Sequence, residues 1–241
     1  MSIFTRYFLN KRAKIGQLLP PQSCVLCGAV SNHTSAWCAA CDAGMPHLYM
    51  PLCPICALPS PLGAMCGHCI KTPPHFNRTV AVFGYTFPLD KLIQALKYGE
   101  RLELAHSFAD QLAQHIIIRA DSMIAMPLHP ARLQERGFNQ SLELARRLEK
   151  KLHIPVLTNV CERMSDTPPQ STLSRNARNK NMQQAFACTK NFGTQDLSGQ
   201  HIAIVDDVMT SGASLNEVAR VLRAAGASEV SAWVIARTLP R

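Results

Sequence analysis

The sequence predicts an α/β protein: a mainly parallel sheet flanked by helices, preceded by a small cysteine-rich, metal-binding domain. Three features predict it. From residue 75 onward, strand and helix patterns alternate, which is the order that builds parallel sheets. Between residues 24 and 69 stand eight cysteines in four C-x-x-C pairs. Near the C-terminus, the stretch HIAIVDDVMTSGASLNEVARVLRAA (His201 to Ala225) reads as strand, acidic pair, small-residue loop and helix.

Taken in order, residues 1–20 carry one apolar stripe (Ile3, Phe4, Tyr7, Phe8, Ile15, Leu18, Leu19) with Arg6, Lys11, Arg12 and Lys14 interleaved. That pattern predicts a basic amphipathic helix packed on the next module. A basic arm against nucleic acid or a membrane surface fits the same charges. The interleaved charges break up any signal-peptide core, and no run approaches the roughly 18 apolar residues of a membrane span. A cytosolic chain is therefore expected, where cysteines bind metal more often than they form disulfides.

In residues 21–71 the pairs are Cys24/Cys27, Cys38/Cys41, Cys53/Cys56 and Cys66/Cys69. Each is a knuckle that can place two thiolates on one tetrahedral ion. The natural grouping puts Cys24, Cys27, Cys38 and Cys41 on one zinc and Cys53, Cys56, Cys66 and Cys69 on a second. A cross-braced pairing of the first knuckle with the third also satisfies the spacing. Gly28 and Gly67, each just past a cysteine, suit tight knuckle turns. So short a segment, with few apolar residues, needs metal to fold, and four thiolates per ion make the sites structural.

Lys71 to Pro74 is a linker, and residues 75–241 form the main domain. Strands are expected over Thr79–Phe87, Ser122–Met126, Val156–Val160, Ala185–Cys188, Ile202–Val205 and Glu229–Ala236. Helices are expected over Pro88–Tyr98, Leu102–Ile118 and Phe138–Leu152, and from Leu215 to Ala225 with Gly226 as its stop. Thr167 to Asn181 is polar and basic with little apolar periodicity, so an exposed loop is expected there.

The acidic unit carries the chemistry. A small-residue loop entering a helix offers free backbone N–H groups and the positive end of the dipole to an anion. Thr210, Ser211 and Ser214 add hydroxyl donors. Ionised carboxylates only accept hydrogen bonds, so Asp206 and Asp207 can hold the two hydroxyls of a ribose. Phosphate at one end and diol at the other describe a ribose 5-phosphate. A P-loop NTPase would need G-x-x-x-x-G-K-[ST], and no glycine of this chain precedes a lysine.

Two further stretches are basic. PLHPARLQERGFNQ (Pro127 to Gln140) leaves the end of a central strand, where open α/β sheets bind ligands, and Arg132 and Arg136 there suit a pyrophosphate. Gln170 to Phe192 holds Arg175, Arg178, Lys180 and Lys190 without a carboxylate. The net charge of +9 over 241 residues favours phosphorylated or polyanionic partners.

VDDVMTSGAS resembles the phosphoribosyl-diphosphate (PRPP) loop of the type I phosphoribosyltransferases. The four knuckles, Leu96-Lys97-Tyr98, PLHPARLQERGFNQ, Gln170 with Leu173-Ser174-Arg175, Arg178 and Asn181 with Ala185-Phe186, and this loop resemble, in that order, the ComF family. The resemblance covers nearly all of residues 20–238. It implies a double zinc ribbon before a type I phosphoribosyltransferase-like domain. Asp206 and Asp207 would take the ribose hydroxyls, and Val208, Met209, Thr210, Ser211, Gly212, Ala213 and Ser214 would wrap the 5-phosphate. Leu128, His129, Arg132 and Arg136 would face the pyrophosphate with its Mg²⁺, and Arg175, Arg178 and Lys180 would lie on a flexible loop able to close over it.

The family is associated with natural transformation, so the resemblance implies a competence protein that binds PRPP with magnesium. It would act on or with internalised single-stranded DNA in the cytosol, in company with recombination or uptake proteins. A phosphoribosyltransferase acting on a small-molecule or nucleobase acceptor, without DNA binding, is the other reading; no acceptor pocket is visible in the sequence.

Overall fold

Ile202, Ala203, Ile204 and Val205 are apolar in succession, so both pleat faces of that segment can be buried and it forms an inner strand. The computed structural model describes residues 22–31, 35–99, 101–164, 185–189 and 196–240. It divides into two compact units, Met1–Gly44 and Met45–Arg241.

In the first unit, β1 (Gln22–Ser23) pairs antiparallel with β2 (Val30–Ser31), and α1 (Ala39–Ala43) follows. Gly28, at φ +74°, closes the turn between the strands, donating its N–H to the Cys24 carbonyl at 2.8 Å. The buried Trp37 donates its indole N–H to Asp42 at 2.7 Å.

The second unit begins with α2 (Gly67–Lys71), which Gly67 opens at ordinary helical geometry rather than in a glycine-specific turn. Then follow β3 (Arg78–Gly84), α3 (Leu89–Tyr98), α4 (Glu103–His115), β4 (Ser122–Ala125), α5 (Pro130–Arg136) and α6 (Gln140–Leu152). The chain continues through β5 (Cys161–Arg163), β6 (Phe186–Cys188), β7 (His201–Met209), α7 (Ala213–Ala224) and β8 (Glu229–Arg237). The main sheet has the order β3-β8-β7-β4 with every pair parallel, and β5 and β6 form a separate antiparallel ribbon.

The sheet is buried on both faces. Ile202 and Ile204 of β7, with Val230, Ala232 and Val234 of β8, pack against Leu215, Val218, Ala219 and Leu222 of α7. Side chains alternate along a strand, so Ala203 and Val205 face the other layer, where α4 and α6 pack on each other and on the sheet.

One expected strand is absent. Val156–Val160 is not a strand: Val156 makes an isolated bridge to Met123, Asn159 turns the chain at φ +60°, and pairing resumes only at Cys161. Past Pro127 the chain forms α5, a helix not among those expected from the sequence. Pro130 starts α5 at a position where its missing N–H costs nothing, His129 caps it by accepting from the Ala131 N–H, and Gly137 at φ +81° ends it. The expected helix in residues 1–20 and the loop Thr167 to Asn181 lie outside the described residues. Among the described residues, no helix is long and apolar enough to cross a membrane.

Leu148, fully buried on α6, tests this packing away from any cavity. Leu148→Ala is expected to lower unfolding free energy by about 2–5 kcal/mol in urea titrations. A loss well under about 1 kcal/mol would place α6 outside the core.

Candidate functional site

The parallel strands all end on one side, and a cavity of about 310 Å³ lies there. It is lined by the first residues past β3 and β4 (Tyr85; Met126, Pro127, Leu128), by Lys97, Tyr98, Arg132, Arg136, Gln140, Ser141 and Arg163, and by the run Asp206 to Leu215. The acidic pair and the small-residue loop thus border one space. Of the residues singled out by sequence, His129 does not line it; its ring caps α5 instead. Arg175, Arg178 and Lys180 lie outside the described residues.

β7 continues through the acids, because Asp206, Val208 and Met209 keep the register with Val234, Ala236 and Arg237 of β8. The two carboxylates therefore sit on a rigid strand end. Asp206 accepts a hydrogen bond from the Ser141 hydroxyl at 2.9 Å and from the Asp207 N–H at 2.9 Å. Asp207, 3% exposed, forms an ion pair with Lys97 of α3 at 2.5 Å. Burial, and then the neighbouring charge of Asp207, push the Asp206 carboxyl up to about 7, although Lys97 and Ser141 pull it down in part. For Lys97, burial works against the charged form, but the pull of Asp207 and then Asp206 outweighs it and raises its pKa.

The loop reaches α7 through Gly212, at φ +82°; a Cβ there would stand 2.7 Å from the Met209 side chain. Gly212 is thus favoured by backbone conformation, while the Met209 methyl would have to move aside for any larger residue. Ser211 accepts from the Ala213 N–H at 3.3 Å, and the first-turn amides of α7 have no intrahelical acceptors.

R-G-F-N-Q is an elbow between two helices. Asn139 caps α6 by accepting from the Ser141 and Leu142 N–H groups at 2.9 and 3.3 Å, and donates to the Met126 carbonyl at 3.1 Å. That double role fixes Ser141 under Asp206. Arg136 donates to Gln140 and lies 4.9 Å from the Tyr98 ring centre, which holds its guanidinium at the cavity wall.

The cysteines form two groups, Cys24, Cys27, Cys38 and Cys41, and Cys53, Cys56, Cys66 and Cys69, with ligand atoms of each group within 4.8 Å of one another. The grouping is sequential and not cross-braced. Zinc–sulfur bonds of about 2.3 Å in a tetrahedron require sulfurs about 3.8 Å apart; Cys27 and Cys38 are separated by 3.8 Å, and Cys56 and Cys66 by 3.7 Å. These are two four-cysteine zinc-binding sites, one in each compact unit. The second is built into the α/β core, since Cys53, Cys56 and Cys69 share a cluster with Met209 and Leu215. Thr79 of β3 donates to the Ile55 and Pro54 carbonyls of this knuckle, at 2.5 Å from its hydroxyl and 3.0 Å from its N–H. Arg237, at the end of β8 and 4% exposed, donates to the carbonyls of Cys56 at 2.8 Å, Met209 at 3.0 Å, Thr238 at 3.1 Å, and Thr210.

Sequence reasoning did not place Lys97, Ser141 or Arg163 in the site, nor Arg237 behind its loop. Lys97 and Ser141 stand in or beside stretches quoted for the family resemblance, so a signal existed; Arg163 and Arg237 carried none.

A parallel sheet with paired acids and a small-residue loop at its carboxyl end, joined to cysteine knuckles, defines a phosphoribosyltransferase-type protein with a double zinc ribbon. The family description "Double zinc ribbon domain" matches residues 15–70, and "Phosphoribosyl transferase domain" matches residues 135–239. The DNA utilization protein YhgH of Salmonella typhimurium is 34% identical over 233 residues, covering 92% of this chain and 100% of that protein. Competence protein F of Haemophilus influenzae is 33% identical over 71% of this chain and 78% of that protein. Competence protein ComFC of Bacillus subtilis is 23% identical over 89% and 95%. The chain belongs to the ComF family. Among solved structures, a glutamine PRPP amidotransferase from B. subtilis aligns with 53% of this chain and only 25% of its own length, at 22% identity and a TM-score of 0.36.

Elemental analysis is expected to find about two zinc ions per chain, and about one in either Cys27→Ser or Cys56→Ser. Calorimetry should separate the two variants. Cys56→Ser is expected to lower the main melting transition by at least about 5 °C, and Cys27→Ser to leave it in place. Equal effects would show that the second metal site is no more a part of the α/β core than the first.

Proposed function

We propose that the chain binds PRPP, with magnesium, in the cavity at the carboxyl ends of the strands, and that it serves natural transformation by acting on or with single-stranded DNA. The observation that carries the reading is the sharing of one cavity by Asp206, Asp207 and the loop Thr210–Ser214. Asp206 and Asp207 accept the ribose hydroxyls. The loop amides and the Thr210, Ser211 and Ser214 hydroxyls take the 5-phosphate. Leu128, Arg132 and Arg136 face the pyrophosphate, and magnesium bound with it would neutralise part of its charge.

In that arrangement Lys97 and the acids divide the work. The free site keeps its buried carboxylates tolerable by pairing Asp207 with Lys97. If the site turns over, departure of pyrophosphate leaves positive character on the ribose, as in glycoside chemistry, and the basic wall stabilises the leaving group. Bound magnesium would supply further neutralisation of negative charge there, beside Arg132 and Arg136.

Support for the nucleic-acid half comes from the net charge of +9 and from relatives named for DNA utilization and competence. The basic stretch with Arg175, Arg178 and Lys180 is the sequence-based choice for backbone contacts. The competing reading, a transferase for a small-molecule or nucleobase acceptor, gains if purified protein releases pyrophosphate from PRPP with such an acceptor and does not bind DNA.

Titration calorimetry with PRPP and Mg²⁺ tests the cavity. Asp206→Asn with Asp207→Asn should weaken binding by a factor of about ten or more, about 1.4 kcal/mol or above; unchanged affinity would remove the acids from the site. The pH dependence has a definite sign. With its pKa raised to about 7, Asp206 carries a proton in the free site below neutrality, and a carboxylate that must accept hydroxyl hydrogens has to lose it. Affinity should therefore strengthen as pH rises through about 7, with proton release visible in buffers of different ionisation heat. The Asp206→Asn variant should lack the part of that release not due to PRPP itself. For the free protein the same shift favours folding fully below the unfolded value of about 3.9, and that contribution is lost as pH rises through about 7. For DNA, the salt slope of single-strand binding should become shallower when Arg175 and Arg178 become Ala, by about one for each phosphate no longer neutralised. An unchanged slope excludes those residues from the interface.

A further inference from the structure

Ten cysteines are present, and the two zinc-binding groups use eight. The remaining two, Cys161 and Cys188, are far apart in sequence and face each other across the ribbon of β5 and β6, as direct register partners. The hydrogen bonds around them fix the kind of pair. The Thr189 N–H donates to the Val160 carbonyl at 3.2 Å, and the Met164 N–H to the Ala185 carbonyl at 2.8 Å. Partners 160/189 and 164/185 are therefore hydrogen-bonded pairs, and alternation along an antiparallel ladder makes 161/188 a non-hydrogen-bonded pair. At such positions the Cα atoms approach to about 4.5 Å and the side chains lie on the same face, close together. That separation falls inside the range of roughly 4.4–6.8 Å over which a disulfide joins two cysteines.

We infer that Cys161 and Cys188 form a dithiol site that oxidises to an intramolecular cross-strand disulfide, independently of the zinc cysteines. The reaction is thiol–disulfide exchange with a small disulfide. One protein thiol, as its thiolate, attacks that disulfide and displaces one small thiolate. The second protein thiolate then attacks the mixed disulfide and displaces the other. The two protein sulfurs together lose two protons and two electrons, the small disulfide gains them, and two small thiols leave.

The surroundings set how readily this happens. Both cysteines are half-buried, packed at the margin of the core cluster, so a small oxidant can reach them. Cys188 Sγ lies 3.7 Å from the Val221 carbonyl of α7, an acceptor for its S–H. Burial, and then the neighbouring Cys188, push the Cys161 thiol up to about 12, and burial raises Cys188 as well. Both are thiols at neutral pH, so the exchange is slow there and quickens with alkalinity. The bond closes residues 161–188 into a covalent ring and pins the ribbon carrying Arg163, which lines the cavity and lies 5.7 Å from the Phe186 ring centre. The inference concerns the thiols alone and stands or falls apart from PRPP binding.

The test treats the zinc-loaded full-length protein with oxidised glutathione, monitors zinc with a chromophoric chelator, and maps peptides without reduction. The expected result is loss of the mass of two hydrogens, a linked peptide joining Cys161 to Cys188, retained zinc, and a melting temperature raised by a few degrees. Cys161→Ser and Cys188→Ser should each abolish the linked peptide, and Cys161→Val supplies a second route if the serine variant folds poorly. The inference is overturned if both thiols still react with iodoacetamide after treatment and denaturation. It is equally overturned if either is found linked to a zinc-site cysteine, or only as a mixed disulfide with glutathione.

Discussion

At the end of β8 a single buried guanidinium ties together three parts of the second unit. Arg237 donates to Cys56 in the third knuckle, to Met209 and Thr210 where β7 gives way to the small-residue loop, and to Thr238 beside itself. An arginine can do this because its donors fan out from a flat, permanently charged group; a lysine would present one point of charge. Hydrogen bonds to a charged donor contribute about 1.5–3 kcal/mol each, and removing the donor strands the carbonyls it served. The cluster around Met209 and the three knuckle cysteines supplies the apolar half of the same joint. The second metal site thus acts as a buttress for the loop. It is not an appendage on a linker.

The acidic pair poses a different problem. Burial disfavours the charged form of Asp206 directly, and the neighbouring carboxylate of Asp207 adds repulsion, which is why Asp206 resists ionisation. The fold answers with one cation and one hydroxyl drawn from separate elements, Lys97 from α3 and Ser141 from α6. Ser141 is in place because Asn139 caps its helix and holds the end of β4 at once. A substitution at Asn139 would therefore reach the acids without touching them.

Much of this was legible from residue patterns. The parallel sheet, the two metal groups and the strand–acid–loop–helix unit follow from periodicity and spacing, which report local geometry. The Val156–Val160 run misled because five extended-looking residues carry no record of the left-handed turn at Asn159 or of which edge is free to pair. His129, which the family resemblance sets toward the pyrophosphate, accepts from the Ala131 N–H at the start of α5, a contact that the basic stretch alone does not announce. Lys97 and Arg237 act through contacts to residues far away in sequence, which no local pattern encodes. The division at Gly44, within the cysteine-rich segment, is likewise a property of three-dimensional packing.

The parallel register of β7 and β8 makes Met209 and Arg237 neighbours. Everything between them, loop, helix and return, is a crossover with both ends clamped: at Thr210 by the guanidinium, and at Ser228 by its bonds to the Gly199 and Gln200 carbonyls. The crossover is therefore a ruler of set length. A one-residue insertion within α7 would turn its apolar face away from Ile202 and Ile204, and a slip of β8 by one position would carry Arg237 off the loop it braces. Length changes inside α7 or β8 therefore disturb the brace, whereas substitutions in the loop leave both clamps in place.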